Sequence, residues 1–301
     1  MEKNKFSPIK GIVVFIVFMI TFIPIAGRIQ GALGMPGVAI TELIILFVAI
    51  LSPIILKQDL RLVFPIRVPK LREILGTILI WIGTFFVVMI FQVALMYFFQ
   101  EGMMNVVNDL SKVISSVPFI VAFIIVSIMP AICEEALHRG FILANFKPVK
   151  NKFIIVVCMG IIFGVFHTDI YRFLPTAILG GALSYVMLET DNMILPMLFH
   201  FINNLSSSFA NFSSNSVDVN TILSKEAILL VLGSFLTFGF FIPVLLYIGS
   251  RLLKASEEKR KIKGKHLIGV FGLGLILFIL GTFIVGYLYV NDPNILNTLS
   301  K

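Results

Sequence analysis

The chain of 301 residues is strongly apolar, since 58% of its residues are hydrophobic, only 13% are charged, and its mean hydropathy is +1.02. A soluble domain carries about a quarter charged residues, so a soluble enzyme or binding module is excluded. The net charge of +8 is explained by basic loops beside anionic lipid. The lipid bilayer is therefore an expected partner and nucleic acid is not.

Apolar runs near the length of a membrane-spanning helix, about 20 residues, recur along the whole sequence. They predict an all-α, polytopic membrane protein: a bundle of eight or nine transmembrane helices forming one integral membrane domain over residues 1–301. The fifth and sixth runs are short and joined by HTDIYR, so they could be two spans or one bent pair. The predicted spans are 11–27, 37–56, 74–99, 118–136, 153–168, 173–189, 193–209, 227–250 and 267–290.

The basic residues indicate how the predicted spans are oriented. With nine spans and a cytoplasmic N-terminus, 19 of the 24 lysines and arginines lie in cytoplasmic segments. Cytoplasmic loops of membrane proteins carry such an excess. We therefore expect a multi-pass integral membrane protein with a cytoplasmic N-terminus, and we expect the membrane to be a bacterial plasma membrane.

Polar residues inside the predicted spans are the informative ones, because a charge at the bilayer centre costs roughly 2.5–3.5 kcal/mol on insertion scales. Glu42 and Gln92 are isolated, and for each we expect a satisfied hydrogen bond or a nearby wet cavity. The central third is different, since polar residues cluster in or beside three of its predicted spans. They are Glu134, Glu135, His138, Arg139, His167, His200, Asn203 and Asn204.

Helical spacing sorts the charged residues at the end of the fourth span. Residues four apart share a helix face, whereas adjacent residues lie about 100° apart. Glu135 and Arg139 are therefore expected to form an intrahelical salt bridge. Glu134 lies on a neighbouring face and is free to point into the bundle. His138 is expected to be an interfacial histidine without a catalytic role.

The same spacing applies to the two later histidines. Phe163 and His167 share a face in FGVFH, and His200 and Asn204 share a face in HFINN, with Asn203 turned away. Polar residues on several helices are best explained by one wet, shared cavity inside the membrane. Such a cavity indicates hydrolysis, proton transfer or ion passage.

Three motifs carry a resemblance to a known family. EExxxR, FxxxH and HxxxN occur in that order as residues 134–139, 163–167 and 200–204, each on its own predicted helix. The chain resembles the CPBP family, the CAAX-protease and bacteriocin-processing (Abi) intramembrane peptidases, over about residues 118–209. That segment is the expected catalytic core.

The resemblance implies an intramembrane endopeptidase that hydrolyses peptide bonds of a membrane-associated peptide or protein. It implies a catalytic set of Glu134, His167, His200 and Asn204, with Glu135 and Arg139 in support. A non-catalytic membrane scaffold or bacteriocin-immunity protein of the same fold is the alternative, and a transporter is a more distant one.

Two chemistries fit the catalytic set. Without a cofactor, Glu134 and His167 would activate water while His200 and Asn204 support the oxyanion. With zinc as cofactor, His167 and His200 would be metal ligands together with a carboxylate or Asn204. In either case Glu134 and His167 meet only if the helix of Glu134 continues past Arg139 or if the fifth helix begins inside the membrane.

Overall fold

The computed structural model describes residues 5–213 and 223–292, and this part of the chain contains helices but no strand. We number the helices in chain order. They are α1 (Pro8–Leu33), α2 (Met35–Ile55), α3 (Leu60–Val63), α4 (Leu71–Ser115), α5 (Phe119–Asn145), α6 (Lys152–Phe166), α7 (Ile170–Thr190), α8 (Ile194–Ser213), α9 (Lys225–Leu253), α10 (Glu257–Arg260) and α11 (Gly264–Asn291).

The prediction of a polytopic, all-α membrane protein is confirmed. Within the described residues, seven helical segments are long and apolar enough to cross a membrane: α1, α2, α4, α5, α7, α9 and the α10–α11 segment. Two predicted spans are helices outside that set. The first, α6, has only 15 residues, and the second, α8, carries the polar residues of the HFINN stretch. Both helices supply the site described below.

The short predicted fifth and sixth spans form a hairpin of two separate helices, α6 and α7. Asn151 begins α6 by accepting hydrogen bonds from the backbone of Phe153 and Ile154, and Asp169 begins α7 in the same way. The two helices approach closely at Gly160, where an added Cβ would lie 2.7 Å from the carbonyl oxygen of Ala177. A larger residue there would force the hairpin apart.

The helix that carries Glu134 continues well past Arg139. It is a 27-residue segment, Phe119–Asn145, and it contains two π-helical stretches, Phe123–Ile128 and Ala136–Ile142. Glu134 therefore lies in the interior of α5 rather than at its end. The first of the two geometries that would let Glu134 meet His167 is thus the observed one.

Candidate active site

A cavity of about 390 Å³ lies among α2, α4, α5, α6, α7 and α8. The structure brings all four residues of the expected catalytic set to its wall: Glu134, His167, His200 and Asn204. They come from α5, the end of α6, and α8, so the fold joins residues up to 70 positions apart in the sequence. The rest of the cavity wall is mostly apolar, so these four polar side chains face a small space enclosed by apolar residues.

Glu134 is the acid at the cavity wall. It is buried, and its Oε2 atom has no hydrogen-bond partner among the described residues. An unpartnered buried carboxyl oxygen costs free energy unless water or a ligand meets it. Because Glu134 borders the cavity, a water molecule or substrate atom can reach the carboxyl group there.

The adjacent Glu135 has a different environment and does not line the cavity. Its Oε1 atom accepts a hydrogen bond of 2.8 Å from Nη1 of Arg139, which forms the expected salt bridge, and both side chains are fully buried. The same oxygen lies 2.8 Å from Nδ1 of His200. Glu135 therefore also orients His200, a link that the motifs alone did not reveal.

Arg139 connects this acid to the α6–α7 hairpin. Its Nη2 donates to the carbonyl oxygen of Gly180 at 2.9 Å, and its Cζ lies 4.4 Å from the centroid of the Phe163 ring. A cation over an aromatic face is attracted by the ring quadrupole. Arg139 thus holds α5 against both α6 and α7 while it pairs with Glu135.

Phe163 is the packing centre of the site. Its ring contacts His167 at a centroid distance of 4.8 Å, His138 at 5.0 Å and His200 at 5.9 Å, each edge to face. An added Cβ on Gly180 would lie 2.5 Å from Cβ of Phe163. Phe163, the aromatic residue of the FxxxH motif, therefore fixes the positions of the three histidine rings. A residue larger than glycine at position 180 would clash with it.

His167 presents one ring nitrogen to the cavity. Its Nδ1 lies 2.8 Å from the carbonyl oxygen of Phe163, one turn earlier. Because that oxygen only accepts, Nδ1 carries the proton, and Nε2 of the neutral ring is left as an acceptor.

His138 is not interfacial, so that expectation was wrong. The residue is fully buried among Phe15, Phe163 and Phe166, with Nδ1 2.8 Å from the carbonyl oxygen of Glu134. The continuation of α5 past Arg139 places it in the protein interior. It does not line the cavity.

The two asparagines both line the cavity, so the expectation that Asn203 turns away was also wrong. Positions 100° apart can border the same wide cavity. Asn204 Nδ2 donates to the carbonyl oxygen of Val126 at 3.1 Å, and its Oδ1 accepts from Asn203 Nδ2 at 3.4 Å. An amide nitrogen has two donors, so Asn204 retains one for a ligand.

Arg172 is a cavity residue that the sequence analysis did not select. Counting spans had placed it in a link at the membrane surface, but it lies in the first turn of α7 and lines the cavity with Glu134 and His167. The sequence could have indicated this, because Arg172 follows His167 by only five residues and the link between them is too short to carry Arg172 far from the cavity.

The zinc alternative needs three protein ligands and an open position. No group of three or more His, Cys, Asp or Glu side chains within residues 5–213 and 223–292 is arranged to hold a metal ion. His167 and His200 each direct Nδ1 to a protein oxygen, so only their Nε2 atoms remain for a ligand. A hydrogen bond from the other ring nitrogen is usual for histidines that bind metal, so the zinc alternative, with Asn204 or a carboxylate as a further ligand, stays a prediction.

A comparison with protein families finds a match over the site. Residues 116–206 match the family model described as Type II CAAX prenyl endopeptidase Rce1-like, and the matched segment contains all three motifs. The resemblance to the CAAX-protease family is therefore confirmed over this segment. No curated protein and no solved structure matches the chain.

Proposed function

Starting from the match to CAAX-type endopeptidases over the central segment, we propose that this protein is an intramembrane endopeptidase that hydrolyses a membrane-associated peptide or protein. The observation that supports this most is the meeting of Glu134, His167, His200 and Asn204 at one cavity. Each is costly to bury in a membrane. A shared water-accessible reaction site explains all four together.

In the proposed reaction, Glu134 is the general base. Its carboxylate, which borders the cavity, takes a proton from a water molecule, and that water attacks the carbonyl carbon of the scissile peptide bond. The exposed Nε2 of His167 accepts a hydrogen bond from the same water and orients it. The proton held by Glu134 then passes to the leaving amine, which completes hydrolysis without a covalent intermediate.

The oxyanion that forms on the attacked carbonyl needs hydrogen-bond donors. Asn204 supplies the amide proton that Val126 does not use. His200 supplies Nε2–H when its ring is protonated, because Nδ1–H already points at Glu135. The Glu135 carboxylate stabilises that imidazolium, and Arg139 fixes the carboxylate in place.

No step of this proposal requires a metal ion. The membrane is proposed to be a bacterial plasma membrane, with the N-terminus in the cytoplasm. The substrate is proposed to reach the cavity from the bilayer, because the cavity lies among helices whose outer faces are apolar.

The experiment that tests the function compares membranes of cells that make the wild-type protein with those of cells that make Glu134→Gln. Glutamine keeps the size of the side chain but removes the base. Quantitative proteomics of new peptide termini should find products that occur only with the wild-type protein. Exposed Glu101 provides the control, and Glu101→Gln should give the wild-type products.

The opposite result is equally clear. If the Glu134→Gln protein reaches wild-type abundance and the cells show the same termini and the same biological function, the peptidase proposal is wrong. The non-catalytic scaffold then becomes the better account of the fold.

A further inference from the structure

Arg172 is a cation at the cavity wall that forms no salt bridge within the described residues. No carboxylate among the described residues lies within salt-bridge distance of its guanidinium. The nearest acid in the sequence, Asp169, uses Oδ1 to accept backbone hydrogen bonds from Tyr171 and Arg172. A charged group in a confined, largely apolar cavity needs an opposite charge or a ligand.

Glu134 is the acid that shares the cavity with Arg172, and the two interact electrostatically. The other positive groups near Glu134 are already engaged. Arg139 pairs with Glu135, and Nδ1 of His200 points at the same carboxylate. The ionisable groups around Glu134 are Glu42 on α2, Cys133, Glu135, His138 and Arg139 on α5, His167 after α6, Arg172 on α7 and His200 on α8.

This arrangement leaves Glu134 with a specific electrostatic problem. Glu135 is a further acid nearby, and it disfavours a negative charge on Glu134. A carboxyl group buried beside an acid takes up a proton unless cations offset that acid, and a protonated carboxyl cannot act as a base. His200, Arg139 and Arg172 all favour the charged form of Glu134, and Arg172 is the arginine of the three that lines the cavity and forms no salt bridge with Glu135.

We propose that Arg172 is a positioning residue that supplies the counter-charge for Glu134 across the cavity and so keeps this carboxylate available as a base. The catalytic consequence of this inference rests on the proposed function. The electrostatic coupling between Arg172 and Glu134 does not depend on that function. Arg172 lies outside the three motifs, on the first turn of the second helix of the hairpin, where Asp169 fixes the backbone.

The first test measures turnover of a proteome-derived peptide library by purified Arg172→Gln and Arg172→Lys proteins. Loss of the charge should lower kcat by about tenfold or more, the scale of a coupled pair of charges. Lysine keeps the charge and should retain most of the turnover. Exposed Arg28 on α1 is the matched control, and Arg28→Gln should behave as wild type. Equal losses in the lysine and glutamine variants would overturn the proposal.

The second test does not depend on cleavage. Thermal stability is measured for wild type, Arg172→Gln, Glu134→Gln and the double variant. A pair of coupled charges gives non-additive shifts in Tm, with the double variant less destabilised than the sum of the single changes. Additive shifts would contradict the coupling. If Glu134→Gln still cleaves peptides, the proposed role of Glu134 as base fails, whereas this cycle still decides whether Arg172 is the counter-charge.

Discussion

Helices α5 and α11 are both apolar and both long enough to cross a membrane, yet they have opposite surroundings. In the most apolar window of α5, 56% of the residues are buried, against 11% for the segment that ends with α11. α5 carries Glu134, Glu135 and Arg139, whereas α11 has no charged residue after its first three positions. Apolar length identifies both helices as candidate spans, but only the charges inside the bundle separate a site from a lipid-facing surface.

The difference between buried and exposed charges should appear most strongly at Arg139. Replacing it by alanine leaves Glu135 buried without its cation, which costs about 3–5 kcal/mol for a broken buried pair. We expect a large loss of folded protein in detergent, measured by size-exclusion chromatography and Tm. Arg139→Lys keeps the charge and should recover part of the yield.

Arg67 provides the comparison for Arg139 at the surface. It also pairs with an acid, Glu73, but its side chain is 40% exposed and Arg72 contacts the same acid. Glu73 is buried, but Arg72 still contacts it when Arg67 is removed, so the loss of stability should be smaller than for Arg139→Ala. An Arg67→Ala protein that lost as much folded protein as Arg139→Ala would contradict the distinction between the two sites.

At the cavity, the largest effect short of the base itself should come from Asn204→Ala. Removing one oxyanion donor costs about 10²–10³ in kcat. KM should change much less, because the donor acts on charge that develops during the reaction. Ser206 on the same helix is a control, and Ser206→Ala should leave kcat unchanged. A KM effect without a kcat effect would assign Asn204 to substrate binding instead.

Changes in packing should also affect the site more than they affect α11, with smaller losses of stability than those expected at Arg139. A methyl group at Gly180 would lie against Phe163, so Gly180→Ala should lower stability by about 1–3 kcal/mol and reduce activity by displacing the rings. Gly272 on α11 has nothing within 4 Å of an added Cβ. Gly272→Ala should be neutral or stabilise the helix by up to about 1 kcal/mol. Equal Tm changes for the two variants would contradict the packing described here.

The smallest expected effect is that of chelation. Because the proposed mechanism activates water with Glu134 and uses no metal ion, EDTA or 1,10-phenanthroline should leave turnover of the purified protein unchanged. Elemental analysis should find no stoichiometric zinc. Loss of activity on chelation, with recovery on adding Zn²⁺, would show that a metal is part of the mechanism.

Many features of the fold and of the site could be predicted from the sequence, because the residue patterns that indicate them are local. Apolar runs predicted the helices, and the spacing of Glu135 and Arg139 predicted their ion pair. The link from Glu135 to His200 could not be predicted, since it depends on how α5 packs against α8. Arg172 was assigned to a link because hydropathy does not show that α7 begins beside the cavity. His138 was misplaced for a similar reason, namely that α5 continues beyond the apolar run.

The central claim is that Glu134 activates water for peptide hydrolysis at the cavity. It is tested most directly by incubating purified wild-type and Glu134→Gln proteins with a proteome-derived peptide library in ¹⁸O-labelled water. Mass spectrometry then follows the label in newly formed C-terminal carboxylates. We expect labelled products from the wild-type protein and a loss of at least ~10²-fold in the folded Glu134→Gln variant. Equal label incorporation by the two proteins would contradict the account.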